Sequence, residues 1–157
     1  MFRDGAARVL VFRVGRERFA VSLLAVDEVI EAPDMQRMPD APPHVRGVAS
    51  LRGQLLSIYD PLALLGAPLS GDRGGGASPG ATLVFTRVGE GHRIGLAVDD
   101  VYDAVTIAES EMLGVPGSDG SDGALLGLVR RASELIGMLD VDALLDNAAA
   151  ISPGGSV

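Results

Sequence analysis

The chain has 157 residues, 47% of them apolar, and a formal charge of −8 at neutral pH. That length suits one compact domain or two very small ones. The acidic balance, with no run of basic residues, argues against a nucleic-acid binder, which needs a basic surface to neutralise phosphates. Cysteine is absent and all 13 basic residues are arginine. Disulfides, thiolate metal sites, cysteine nucleophiles, Schiff-base lysines and a phosphate-loop lysine are therefore excluded. Aromatic residues are only 4% and tryptophan is missing, so the apolar mass is aliphatic and favours packed strands over stacking platforms. No apolar stretch reaches the ~20 residues of a membrane helix, and the first residues lack the apolar centre of a signal peptide. A soluble cytoplasmic protein without membrane insertion is expected.

In chain order, Val9 to Val14 is a short apolar run with β-branched residues, ended by Gly15, and reads as a strand. Val21 to Ile30 fits a short amphipathic helix or a bent strand, and periodicity does not decide between them. Gln54 to Ile58 has the size of a buried strand. Leu62 to Leu65 reads as about one helical turn capped by Asp60. Gly66 to Ala81 (GAPLSGDRGGGASPGA) is a flexible connector. The pattern then returns: a strand over Leu83 to Val88, a mobile Gly/Ser/Asp loop over Gly114 to Gly123, a buried strand over Glu134 to Met138, and a helical turn over Val141 to Leu145 behind Asp140.

This return is an internal repeat. Gly47-Val48-Ala49 to Leu64-Leu65 runs parallel to Gly127-Leu128-Val129 to Leu144-Leu145 at a constant offset of 80, with Asp60 on Asp140 and Ala63 on Ala143. Upstream, Leu10-Val11-Phe12 matches Leu83-Val84-Phe85, Phe19-Ala20-Val21 matches Ile94-Gly95-Leu96, and Val26-Asp27-Glu28-Val29 matches Val98-Asp99-Asp100-Val101. Short strands punctuated by Gly and Pro, given twice, indicate a mainly β protein of two small barrels with short helices. The expected domain runs over residues 8–146, with barrels at roughly 8–65 and 82–146 that are free to exchange strands, the connector at 66–81 and a tail at 147–157. One such barrel buries little surface, so packing the two together supplies a shared core. Their junction is a natural place for a partner.

Several motifs suggest chemistry that their context denies. Gly76-Ala77-Ser78-Pro79-Gly80 matches the G-x-S-x-G elbow, but that elbow needs a strand before it and a helix after it, and here it lies in the Gly-rich connector. His44 and His92 have no evident nucleophile or orienting acid. Asp99, Asp100 and Asp103 fall short of the oxygen set of a cation cage, and their interleaved valines read as a solvated face. No cofactor is called for. Two residues are less easily dismissed. Glu28 is a charge within an amphipathic stretch, and Arg52 stands between two apolar runs in Ser50-Leu51-Arg52-Gly53. The repeat partner of Arg52 is Ala132, so the fold does not require arginine there, and Gly53 permits a tight bend that aims it outward. From residue chemistry alone Arg52 reads equally well as an ordinary turn residue and as a binding hot spot.

At these residues the chain resembles the CheW family. The family's opening strand, Gly turn and "L-x-V-x-E-V" segment read here as Leu10 to Gly15, Phe19-Ala20-Val21 and Leu24-Ala25-Val26-Asp27-Glu28-Val29-Ile30. Its Pro-rich approach to "G-V-x-N-L-R-G-x-x-x-P-V-x-D-L" reads as Met38 to Gly53 and then Gln54 to Pro61. "G-L-x-V-D-x-V" appears as Gly95 to Val101, and the final strand and helix as Leu135 to Leu145. Ser50, Ser57, Pro61 and Asp40 depart from the usual Asn, Pro, Leu and Asn. The resemblance implies two packed SH3-like five-stranded β-barrels, no catalysis, and an adaptor between the cytoplasmic tip of a chemoreceptor and the regulatory domain of a CheA-type histidine kinase at membrane-associated arrays. It implies a partner-binding set of Val26, Glu28, Ile30, Leu51, Arg52, Gly53 and Gly95, with Gly95 in an inter-barrel groove that receives the receptor. The departures leave a second reading, a diverged paralogue that modulates or competes in a twitching or gliding system. A small β-barrel enzyme is the alternative of another class, and it lacks convergent titratable groups.

Overall fold

The computed structural model describes residues 2–40, 44–65, 80–86, 93–114 and 123–150. The connector with its G-x-S-x-G motif, His92, most of the Gly114 to Gly123 loop and the end of the tail lie outside the described residues.

The first half contributes β1 (Ala6–Val14), β2 (Glu17–Ser22), β3 (Glu28–Glu31), β4 (Val45–Leu51), β5 (Gln54–Tyr59) and the short helix α1 (Pro61–Leu64). The second half contributes β6 (Ala81–Thr86), β7 (Arg93–Val98), β8 (Asp100–Ala108), β9 (Met112–Leu113), β10 (Leu125–Arg131), β11 (Glu134–Leu139) and helix α2 (Val141–Ala150). They form two sheets. Sheet A has the order β8-β1-β2-β11-β10-β9, and sheet B the order β3-β6-β7-β5-β4. Each sheet therefore takes its first hairpin from one half of the chain and its remaining strands from the other. Each hairpin is flanked on both sides by strands of the other half, on one side in parallel (β2 with β11, β7 with β5) and on the other antiparallel (β1 with β8, β6 with β3). The two sheets make two SH3-like β domains; sheet A has six strands rather than five because the two-residue β9 adds to its edge.

The strand exchange explains why the apolar runs of the hairpins are continuous instead of alternating. Leu10, Phe12 and Val14 of β1 face a core shared by both sheets, together with Leu83, Phe85, Ile94, Leu96 and Val98. The intervening Val9 and Val11 face the interior of sheet A with Ile107, Val129 and Met138. In sheet B, Val84 and Ala97 turn the other way, into an interior with Ala49, Leu56 and Ile58. A strand buried on both faces needs apolar residues at every position.

The repeat is visible in detail. Both second hairpins carry a bulge at the same place, between Val45 and Gly47 and between Leu125 and Gly127. Arg52 and Ala132 both adopt left-handed backbone, with φ of 50° and 55°. Asp60 caps α1 by accepting a hydrogen bond from the Leu62 N–H, and Asp140 accepts from the Asp142 N–H at the start of α2. Val21 to Ile30 is neither of the two expected forms: β2 ends at Ser22, a 3-10 turn spans Leu23–Ala25, and β3 begins at Glu28. The crossing from sheet A to sheet B falls in that turn, which breaks any single period. The acidic stretch at Asp100 opens a nine-residue strand with Asp100 and Asp103 exposed.

Candidate functional site

Arg52 and Gly53 are the two central residues of the β4–β5 turn, closed by the Leu51 to Gln54 pair, and both have positive φ (50° and 80°). Two left-handed residues in succession define the tight hairpin turn whose twist matches the strands. This turn holds the Arg52 side chain out at one end of sheet B, two-thirds exposed. Glu28 begins β3, the opposite edge strand of the same sheet. The two side chains nevertheless reach one another, and Arg52 Nη1 and Nη2 donate to Glu28 Oε2 and Oε1 at 2.7 and 2.8 Å. Arg93, the first residue of β7, reaches Glu28 Oε2 at 3.5 Å from a more sheltered position. Ile30 and Leu51 pack beneath, against the interior of sheet B.

The hydrogen bonds from Arg52 hold the Glu28 carboxyl below its ordinary range; its partial burial opposes this, and the charges of Arg52 and Arg93 add to it. The same bonds push the Arg52 guanidinium up. The result is a planar, charge-paired platform with the outer N–H groups of Arg52 facing solvent, a geometry suited to a carboxylate or to backbone carbonyls of a partner.

The structure thus brings Glu28, Ile30, Leu51, Arg52 and Gly53 together in sheet B, around the Glu28–Arg52 pair. Val26 follows the 3-10 turn and packs against the shared core. Gly95 is placed differently. It is buried in mid-β7, and a Cβ there would lie 2.8 Å from Thr82 Cγ2 and 3.4 Å from Ile58 Cγ1. It faces the interior of sheet B instead of a groove between the domains, and close packing by itself accounts for glycine at this position.

Sequence reasoning did not single out Arg93, although the match of Phe19 with Ile94 already sets Arg18 opposite Arg93. It also missed two grooves on sheet A. One, of about 520 Å³, is lined by Leu24, Ala25, Leu126 and Val141, with Asp140 and Asp142 on its rim. Leu24 is 86% exposed there, an apolar side chain with no core to enter. The other, of about 560 Å³, lies between Phe19, Leu125, Leu135 and Gly137, bordered by Arg16 and Glu134. No periodicity reports such concavities, because they arise where separate segments meet. No helix among the described residues is long and apolar enough to cross a membrane.

A family model for the CheW-like domain matches residues 8–149. The chemotaxis protein CheW of Rhizobium meliloti is 29% identical over 145 residues, covering 90% of this chain and 88% of that protein. Protein FrzA of Myxococcus xanthus is 30% identical over 140 residues, covering 87% and 84%. In three dimensions the chain is similar to the scaffolding protein TtCheW from Thermoanaerobacter tengcongensis, with a TM-score of 0.71 at 19% identity over 90% of this chain and 89% of that one. The family match spans both halves of the duplication and both sheets, and the chain belongs to the CheW family.

Proposed function

We propose that this chain is a non-enzymatic coupling adaptor of chemotaxis signalling, working in the cytoplasm where it joins a chemoreceptor tip to the regulatory domain of a CheA-type histidine kinase. The observation that carries this reading is the family match over residues 8–149, a span that includes the Glu28–Arg52 platform. Two surfaces support a bridging role. The platform at the edge of sheet B offers directional charge. The groove at Leu24 and Leu126 offers exposed apolar surface suited to the apolar face of a receptor helix. Charged contacts set register and exclude wrong partners, while apolar burial supplies affinity. Weak individual contacts gain strength when many copies are assembled on an array.

The similarity to FrzA, at 30% identity over most of both chains, favours a second reading in which the chain serves another chemosensory system as a modulator. One experiment separates the two. Phosphorylation by the CheA-type kinase of the same organism is measured with its receptor while this protein is titrated. A rise followed by a fall at excess is expected of the adaptor, a monotonic fall of a competitor. Absence of binding to both kinase and receptor would overturn both.

A further inference from the structure

The duplication supplies an internal control for the charges around Glu28. Arg18 pairs in parallel register with Ile136, and Arg93 with Leu56, the repeat equivalent of Ile136. The two arginines therefore hold the same position in the two sheets. Arg18 has two partners: its Nε is bonded to Glu134 at 2.8 Å, and its guanidinium lies 4.4 Å from the centre of the Tyr102 ring. In sheet B the equivalent of Glu134 is Gln54 and the equivalent of Tyr102 is Ile30. Arg93 has lost both. Its acidic contact among the described residues is Glu28 at 3.5 Å, and both Glu28 oxygens are already taken by Arg52. Sheet B has meanwhile gained Arg52 where sheet A has Ala132. Two guanidiniums thus face one carboxylate here, a local positive excess on a chain of net charge −8.

We propose that Arg93 is a reserve counter-ion for Glu28, which frees the exposed fork of Arg52 to receive an Asp or Glu side chain of the kinase; this rests on the adaptor reading above. A partner carboxylate approaching Arg52 would be repelled by Glu28 if Arg52 were its sole cation. Charge-assisted bonds settle near 2.8 Å, so Arg93 needs to close less than about 1 Å to take over one Glu28 oxygen. The exposures fit the division of labour. The Arg52 side chain is 66% exposed and the Arg93 side chain 25%, so the first faces the partner and the second stays behind. Arg93 is a positioning residue: it acts through Glu28 and Arg52.

The test compares wild type, Arg93→Gln and Arg93→Lys for binding to the purified regulatory domain of the CheA-type kinase of the same organism, at low and high salt, with melting curves alongside. Arg93→Gln is expected to bind about 3- to 10-fold more weakly at low salt, with the gap closing at high salt, because the lost term is electrostatic. Arg93→Lys keeps the charge and is expected to stay within about 2-fold of wild type. An Arg93→Gln protein that binds like wild type overturns the proposal. So does one that is weakened equally at both salts with no rescue by lysine, which marks a packing role. Wild type failing to bind the domain overturns the adaptor reading itself, and this inference with it.

Discussion

Glu28 opens β3, one edge strand of sheet B, Arg52 lies in the turn that follows β4, the other edge strand, and the two side chains are joined by hydrogen bonds of 2.7 and 2.8 Å. Sheet A carries a different link: Arg131 of β10 donates to the Thr106 carbonyl of β8 and to Glu111. In sheet B the link is made by a pair whose arginine is two-thirds exposed. Arg52→Asn separates the two roles. Asparagine tolerates left-handed backbone, and Asn-Gly is a preferred dipeptide for this turn. Thermal melting of Arg52→Asn is expected at or near the wild-type Tm, while binding to the kinase regulatory domain falls roughly 10-fold. Unchanged affinity would remove Arg52 from the interface.

Charge reversal should exceed charge removal at the other partner. Glu28→Ala takes away the acceptor of Arg52. Glu28→Lys also sets three cations together and adds repulsion to the lost contact. Calorimetric titration against the same domain is expected to rank wild type above Glu28→Ala and Glu28→Ala above Glu28→Lys. Equal losses would mean that only packing matters at this position.

Acid should loosen the Glu28–Arg52 link. The Glu28 carboxyl titrates below its ordinary value of 4.5, held there first by the Arg52 hydrogen bonds. Glu111 is displaced the same way, first by the Ala108 N–H and then by Arg131. A depressed carboxyl favours the folded state above its unfolded value, and that contribution is lost as pH falls through the folded one. Urea unfolding followed from neutral pH downward is expected to show stability falling below pH 4.5, with Arg52→Asn losing less over that window. Carboxyl carbon shifts in NMR should place the Glu28 midpoint below that of an exposed glutamate, and nearer to it in Arg52→Asn.

Gly95 makes a packing prediction. The Cβ of Gly95→Ala meets Thr82 Cγ2 at 2.8 Å inside a filled interior, so the variant is expected to lose about 1–3 kcal/mol. Thr82→Ser removes that methyl group. The double variant should recover part of the loss, a coupling expected only of residues in contact. Additive losses in denaturant unfolding would contradict this account.

The helix caps are separable from binding. Asp140→Ala removes the acceptor of the Asp142 N–H at the start of α2 and is expected to cost about 1 kcal/mol. Kinase binding through the sheet B platform should not change, since Asp140 follows β11 in sheet A.

Much of this protein was legible in its sequence, because the signals were local or came twice. The runs at Val9 to Val14 and Leu83 to Val88 lead to β1 and β6, and the Asp60 and Asp140 caps lie at the matched ends of β5 and β11. The offset of 80 residues reappears as paired bulges and paired left-handed turns. The glycine beside Arg52 marked the turn, and the absence of arginine at Ala132 marked Arg52 as dispensable to the fold.

Sequence by itself determined strands β1, β5, β6 and β11, the duplication, the caps and the family, since each depends on short-range pattern or on ordered motifs. Only the tertiary structure decided which hairpin joins which sheet, because a strand's apolar residues declare that it is buried and not against what. That exchange of hairpins brings Glu28, Arg52 and Arg93, separated by 24 and 65 residues from Glu28, to one end of one sheet. It also turns Gly95 inward and leaves Leu24 outside. Ion pairs and grooves arise where segments distant in the chain come together, and no period in the chain records that placement.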